Sequence, residues 1–346
     1  MEEVYKKITI TAITENAPGV KTYALAYADG TPVSYRSGQF ITLVFTHHGK
    51  KERRSYSVSS SAAMGEQLAI TVKRIDNGAY SRLLTDRARP GDVLLTTGVA
   101  GLFTLPIEVN STQVFFFAAG IGITPILSLI KELLVTREDV HVVLIYSNRS
   151  LQETVFLHEL ETLKSRYGQR FSVEYLFSDA RDLNRARLNK ALVRTLLNGY
   201  APGKRGGMLF YICGPYDYMR MVIYALEENG VKDEQIRREN FNMNARPVVA
   251  AEPPDKDQHS ITFLHNGQAT TITAQYPETI LKAAKRNNIQ LPYSCEAGRC
   301  GSCALRCIKG KVWHSYNEVL MDMDLRHGSI LTCTGYAVGG DVTIEV

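Results

Sequence analysis

"LPYSCEAGRCGSC", residues 291–303, decides how the chain is organised. It holds three of the six cysteines, Cys295, Cys300 and Cys303; Cys307 follows closely, and Cys213 and Cys333 stand apart. Crowded cysteines mean a metal site or a disulfide framework, and the rest of the chain selects between them. The opening "MEEVYKKITITAIT" has no basic segment followed by an apolar one, so it does not read as a secretory signal. The most apolar run, "VFFFAAGIGITPILSLI" (114–130), is interrupted by Pro125 and is too short to span a bilayer. The expectation is a cytoplasmic chain without membrane insertion, where clustered cysteines favour metal over disulfides.

Reading on to the C-terminus gives Cys295-x4-Cys300-x2-Cys303, then 29 residues, then Cys333. This is the plant-type spacing for one [2Fe–2S] cluster, in which four thiolates hold two irons. Gly298 and Gly301 suit a loop that wraps closely and turns amide N–H groups toward sulfur. Cys307 competes for the fourth position. It falls on an extended stretch, "CALRCIKGKV", about 13 Å further along the strand, and reads as a small apolar core residue. A structural zinc site would pair its ligands as two C-x2-C knuckles, a pattern this chain lacks.

Upstream, residues 1–108 carry short β-branched and aromatic runs ("KITITAIT", "QFITLVF", "RSYSVSS", "QLAITVKRI") separated by Gly, Pro, Asn and Asp. They imply an antiparallel barrel or sandwich. Residues 109–245 alternate apolar strands with helical patterns, which implies a parallel α/β sheet. "RPVVAAEPPDKDQ" (246–258), with three prolines and no periodicity, reads as a linker. Residues 259–346 form a compact α+β unit. The 346 residues carry a net charge of +5, spread along the chain, which gives no nucleic-acid footprint.

Three stretches carry cofactor chemistry. In "RRSYSVSS", Arg54 can hold a phosphate, Tyr56 can stack on a flat ring and Ser57 can hydrogen-bond a ring nitrogen. Gly78 and Ser81, in "DNGAYSRLL", open a helical run whose free N–H groups suit a pyrophosphate; capping by Asn77 or Ser81 is the plain structural alternative. That second phosphate site favours FAD over FMN. "FFFAAGIGITP" sets Gly120, Gly122, Thr124 and Pro125 between a buried strand and a helix, in the context that lets backbone approach a dinucleotide. Ser147 and Arg149, in "YSNRS", fall where a ribose 2′ substituent is read, and the arginine favours NADPH over NADH. Cys213-Gly214-Pro215 ends a further strand, where ligands of open α/β sheets bind.

Taken in order, R-x-Y-S, G-x-x-S, G-x-G-x-T-P and C-G-P-x-x-M resemble the ferredoxin–NADP reductase family, and "ENFN" (239–242) closes the unit as E-x-F does in some members. The C-terminal unit is similar to plant-type ferredoxin. Reductase first and ferredoxin last resembles reductase components of multicomponent oxygenases, and most of all the reductase subunits of phenylacetyl-coenzyme A epoxidases, through "YSNRS", "ICGP", "ENFN" and "LPYSCEAGRCGSC". The resemblance implies a multidomain fold: a flavin-binding antiparallel β-barrel, an α/β Rossmann-like NAD(P)-binding domain and a β-grasp ferredoxin domain. It implies that Arg54, Tyr56, Ser57, Lys73, Gly78 and Ser81 line FAD. Gly120, Gly122, Thr124, Pro125, Gly214, Pro215 and Phe241 would hold the nicotinamide dinucleotide. Ser57 and Cys213 would flank the reacting atoms, and Cys295, Cys300, Cys303 and Cys333 would ligate the cluster. Arg181, Arg185 and Arg187, in "FSDARDLNRARL" (177–188), are alternatives for a 2′-phosphate. The implied partner is an oxygenase component. A ring-hydroxylating oxygenase, a fatty-acid desaturase or a nitrogen-oxide reductase as acceptor, and a non-catalytic zinc-binding module, stay open at this point.

Overall fold

The computed structural model describes residues 5–29, 31, 33–47, 49–106, 111–203, 206–241, 251–265 and 267–346. The domain boundaries expected at 108 and 245, and residues 246–250 of the expected linker, lie outside the described residues. The chain divides into two compact units, the first holding the expected barrel and α/β domain together, the second holding the C-terminal residues.

The first unit opens with strands β1 (Lys6–Ala17), β2 (Val20–Tyr27), β3 (Phe40–His47), β4 (Lys50–Ser57), β5 (Ala69–Lys73) and β6 (Val93–Ala100). They form one sheet in the order β4-β3-β6-β1-β2-β5. An antiparallel bridge between Val58 and Ile70 closes it into a barrel. Alternation drives this closure: Ile8, Ile10, Tyr23, Leu25, Ile41, Leu43, Val58 and Ile70 share one core. Helix α1 (Ala79–Arg82), continued by a π-turn to Arg87, crosses between β5 and β6.

Strands β7 (Gln113–Ala119), β8 (His141–Asn148), β9 (Phe171–Phe177), β10 (Leu209–Cys213) and β11 (Ile236–Glu239) follow. All pair in parallel, in the order β11-β10-β7-β8-β9. "VFFFA" is continuously apolar because both faces are covered. Val114, Phe116 and Ala118 enter one core with helices α2 (Ile123–Thr136) and α3 (Leu157–Tyr167). Phe115 and Phe117 enter the other, on the side of α5 (Lys190–Tyr200) and α6 (Tyr216–Glu228); the short α4 (Leu183–Ala186) precedes α5. The strand order reverses between β7 and β10, so their carboxyl ends diverge into a crevice.

A buried cation locks barrel to sheet. Lys131 of α2 is 4% exposed and bonds both carboxylate oxygens of Glu66 at 3.0 Å, and Glu159 of α3 as well. Glu66 in turn accepts from the Ser61 amide at 2.8 Å. Ser128 donates to the Ser60 carbonyl, one turn before Lys131 on the same helix.

The second unit contains β12 (His259–His265), β13 (Gln268–Ala274), α7 (Ile280–Arg286), β14 (Ala304–Lys309), β15 (Val312–His314), α8 (Asp322–Arg326), β16 (Ser329–Leu331), β17 (Gly335–Ala337) and β18 (Val342–Glu345). Its main sheet runs β13-β12-β18-β14-β16, mixed because β12 and β18 are parallel, with α7 packed on the same core. This is the β-grasp arrangement. The described end of the expected linker is part of this domain rather than a free tether. Pro253 is buried, and Asp255 accepts hydrogen bonds from the Gly339 amide at 2.6 Å, His259 at 2.7 Å and its own neighbour Asp257 at 2.8 Å. Those donors hold the Asp255 carboxyl down at about 2.

Candidate functional site

In the second unit the four expected cysteines converge as two pairs. Cys303 and Cys333 lie with sulfurs 3.2 Å apart, both nearly buried. Cys295 and Cys300 form the other pair, each half-buried. The loop between them is built from left-handed backbone: Glu296 at φ 53°, Gly298 at 69° and Gly301 at 72°. Gly298 has no alternative, since a Cβ there would sit 2.6 Å from the Tyr316 carbonyl oxygen. Glu296, without that freedom, is held by Lys285 at 2.8 Å. Amides point at sulfur: Ala297 N–H to Cys295 at 3.4 Å and Ser302 N–H to Cys300 at 3.5 Å. The Cys300 thiol and the amides around it pull Cys295 down to about 6, and Cys333 pulls Cys303 down likewise. The partner thiols, Cys300 and Cys333, go up, because a neighbouring thiolate and burial favour their protonated forms.

Among the described residues no group of three or more His, Cys, Asp or Glu side chains converges on one ion. Two pairs suit two metal atoms bridged between them, the donor set of a [2Fe–2S] cluster. Cys307 is apart from both pairs. It is half-buried against the domain core and its thiol turns to the Lys309 carbonyl at 3.2 Å. It is a strand residue as expected, less buried than a core thiol.

In the first unit a cleft of about 810 Å³ opens at the carboxyl ends of β7, β8 and β10. Of the residues expected to bind a dinucleotide, Gly120, Gly122, Ser147, Arg149, Gly214, Pro215 and Phe241 line it, and Lys73 reaches it from the barrel. Gly122 is dictated by packing: a Cβ would fall 2.3 Å from the Cys213 carbonyl oxygen. Gly120 is dictated by conformation, at φ +53° with open space around it. Thr124 and Pro125 do not line the cleft. They are buried in the first turn of α2, where the Thr124 hydroxyl bonds the Ile121 carbonyl at 3.0 Å and stiffens the glycine turn.

The structure separates the three candidate arginines. Arg187 lines the cleft with Arg149 and Ser178. Arg185 is paired with Glu174 on β9, and Arg181 is not among the lining residues. Arg149 is largely exposed, 3.8 Å from Glu153.

On the barrel side, β4 carries Arg54, Tyr56 and Ser57. The Arg54 guanidinium lies 4.8 Å over the Tyr80 ring and 2.8 Å from Glu52. Tyr56 packs against the barrel core, and burial pushes its phenol up. Gly78 starts α1, and a Cβ there would strike the Ser81 hydroxyl at 2.4 Å. That hydroxyl accepts from the Ile75 amide and donates to the Gly78 carbonyl, both at 3.2 Å. Ser81 therefore closes the turn, which leaves the backbone N–H groups of the helix start as the donors for an anion.

Sequence reasoning gave Glu239 no role; the structure places it centrally. Glu239 ends β11 beside Cys213, its register partner on β10. The Ser57 hydroxyl donates to it at 3.1 Å. Burial pushes the Glu239 carboxyl up to about 8, with Ser57 pulling partly back. Burial, then the Glu239 charge, raises the Cys213 thiol. "ENFN" marked the end of the unit, but no local pattern says that β11 lies beside β10.

Comparison with known proteins agrees with this layout. Residues 7–105 match the oxidoreductase FAD-binding domain, 116–223 the oxidoreductase NAD-binding domain and 263–338 the 2Fe-2S iron-sulfur cluster binding domain. The chain is 29% identical to a component polypeptide of the 1,2-phenylacetyl-CoA epoxidase of Escherichia coli (strain K12), covering 99% of this chain and 97% of that one. It is also 29% identical to the glycine betaine monooxygenase reductase subunit of Pseudomonas aeruginosa, covering 90% and 87%. The solved structure of phthalate dioxygenase reductase superposes with a TM-score of 0.60 at 22% identity, over 99% of this chain and 98% of that one. That likeness is one of fold.

Proposed function

Because the chain is a reductase of ferredoxin-reductase architecture, with FAD-binding, NAD-binding and 2Fe–2S domains in one polypeptide, we propose that it carries electrons from NADPH through FAD and a [2Fe–2S] cluster to an iron-containing oxygenase. The acceptor we favour is a phenylacetyl-coenzyme A epoxidase, the system of a relative that aligns along nearly the whole chain. The supporting observation is the Ser57–Glu239 hydrogen bond, which joins the flavin-side strand to the end of the nicotinamide-side sheet beside Cys213.

When bound, the nicotinamide supplies an electron pair, the flavin takes it up, and the cluster passes single electrons on. The chain's own residues bind, orient and shield. Arg54 and the backbone around Gly78 and Ser81 hold the flavin phosphates, while Tyr56 and Ser57 face its ring. Gly120, Gly122, Gly214 and Pro215 let backbone close on the dinucleotide. Arg149 and Arg187, with Ser147, read a 2′-phosphate, the arginine being the side chain suited to it. Phe241 lines the cleft that would take the nicotinamide, while Cys213, buried at the end of β10, lies next to the lining residue Gly214 rather than on the cleft itself. Glu239, joined to Ser57, stands at the edge of that site with its carboxyl pushed up to about 8 by burial. Cys295 and Cys300 would hold one iron and Cys303 and Cys333 the other. The four cysteines would ligate as thiolates, unpaired by disulfides, which suits a reducing, cytoplasmic setting.

Anaerobic titration tests the reading. NADPH should bleach flavin and iron–sulfur absorption in turn, faster than NADH does; a colourless protein that binds zinc would sink it. Because relatives serve several oxygenase systems, the acceptor is tested by cluster reoxidation with purified epoxidase oxygenase component. Reoxidation only by a different acceptor moves the protein to another pathway.

A further inference from the structure

Between Cys295 and Cys300 the chain carries a buried cation, Arg299, 8% exposed. Its Nε lies 3.4 Å from Oε2 of Glu318, whose side chain is 16% exposed. The Tyr316 hydroxyl donates to the same Glu318 oxygen at 3.0 Å, and the guanidinium lies 5.6 Å from the Tyr316 ring. Glu318 is bound to the cysteine loop through its backbone, its amide donating to the Gly298 carbonyl at 3.0 Å. Gly298 also directs its own amide at Cys333. One charge pair therefore touches the loop that supplies three of the four cysteines and directs an amide at the fourth.

From this geometry we infer that Arg299 and Glu318 form a shielded charge pair whose two members tune the reduction potential of the cluster in opposite directions. The inference rests on the cluster assigned above. Reduction adds one electron to the site and no proton, so the site becomes one unit more negative. A cation beside it stabilises the reduced form and raises the potential; an anion does the reverse. The loop's other ion pair, Lys285–Glu296, is exposed at 34% and 46% and is screened by water. Arg299 and Glu318 are shielded, so each acts at fuller strength. Together they nearly cancel, and their pairing lets a charged residue be buried next to a cluster.

The test is a dithionite titration with mediators on the full-length holoprotein, read by cluster absorption and electron paramagnetic resonance. Arg299→Met removes the cation while keeping the Glu318 carboxylate and should lower the midpoint by about a tenfold change in the reduced-to-oxidised ratio, about 59 mV for a one-electron couple. Glu318→Gln removes the anion while keeping the Arg299 guanidinium and should raise it by a similar factor. The double variant should return near the wild-type value, Arg299→Lys should stay near it, and Glu296→Gln should move it little. Shifts in the same direction, or none, in protein that retains its cluster overturn the inference. If Arg299→Met does not assemble a cluster, the upward shift of Glu318→Gln decides alone. Wild-type protein without a cluster signal overturns the functional reading, and the inference with it.

Discussion

The Ser57 hydroxyl donates a 3.1 Å hydrogen bond to Oε2 of Glu239 across 182 residues of sequence. It ties the last residue of a barrel strand to the last residue of the parallel sheet's edge strand. Burial lifts the Glu239 carboxyl from 4.5 to about 8. A folded-state pKa above the unfolded one gives a contribution that is full below the ordinary carboxyl pKa and lost as pH rises through the folded value. Thermal melts from about pH 5 to about pH 9 should therefore show wild type losing stability relative to Glu239→Gln. Ser57→Ala removes the bond that lowers the Glu239 pKa, so its loss should move to higher pH. Parallel profiles for wild type and Glu239→Gln would refute the shift.

Cys333→Ser should abolish the normal cluster, while Cys307→Ser should keep it. Cys333 stands 3.2 Å from Cys303, whereas Cys307 faces the carbonyl of Lys309. Iron content and visible absorption of the purified variants check this. Loss of iron in Cys307→Ser would reassign the ligand set.

Two glycines of one turn should behave differently. At Gly122 a methyl group meets the Cys213 carbonyl at 2.3 Å, so Gly122→Ala must displace the turn or β10. Nucleotide affinity should fall about tenfold or more, the scale of a backbone clash of about 1–3 kcal/mol. Gly120→Ala meets nothing within 4 Å and bears only the left-handed φ, about 1 kcal/mol. Equilibrium titration with NADP⁺ separates the two.

Arg187→Ala should lower kcat/KM for NADPH about tenfold, the scale of one charge-assisted hydrogen bond, and leave that for NADH nearly unchanged. Arg149→Ala should act in the same sense. Arg185→Ala should spare both coenzymes, because Arg185 pairs with Glu174 outside the cleft. Steady-state kinetics with each coenzyme give the ratio; an equal loss for both would remove Arg187 from the 2′ site.

Lys131→Met strands Glu66 and Glu159 at the junction of barrel and sheet. Stability of the first unit should fall by about 2 kcal/mol, as for a lost charged hydrogen bond, the carboxylates being partly exposed. Chemical denaturation followed by flavin release measures it.

Much of the architecture was legible because its signals are local. "VFFFA" is a parallel strand buried on both faces, and its uninterrupted apolarity says so. The alternation of "KITIT" sends Ile8 and Ile10 into the barrel core. The spacing of Cys295, Cys300, Cys303 and Cys333 names a cluster because ligand distances along a loop are constrained by the loop itself. The linker was only half legible. Prolines and charges without period read as a tether, yet Asp255 docks its end onto Gly339 through hydrogen bonds that composition does not reveal.

By itself the sequence determined the three modules, their order, the glycine turns and the cysteine spacing of a [2Fe–2S] domain, since each depends on backbone geometry within a few residues or on side-chain chemistry at fixed spacing. Only the tertiary structure decided which distant groups meet. It put Arg187, and neither Arg181 nor Arg185, on the wall of the cleft, brought Glu239 to Ser57 and Cys213, split the cysteines into two pairs and buried Arg299 against Glu318. Those meetings follow from strand order and loop paths, which neither periodicity nor spacing encodes, and burial then changes the charge and proton affinity of the groups brought together.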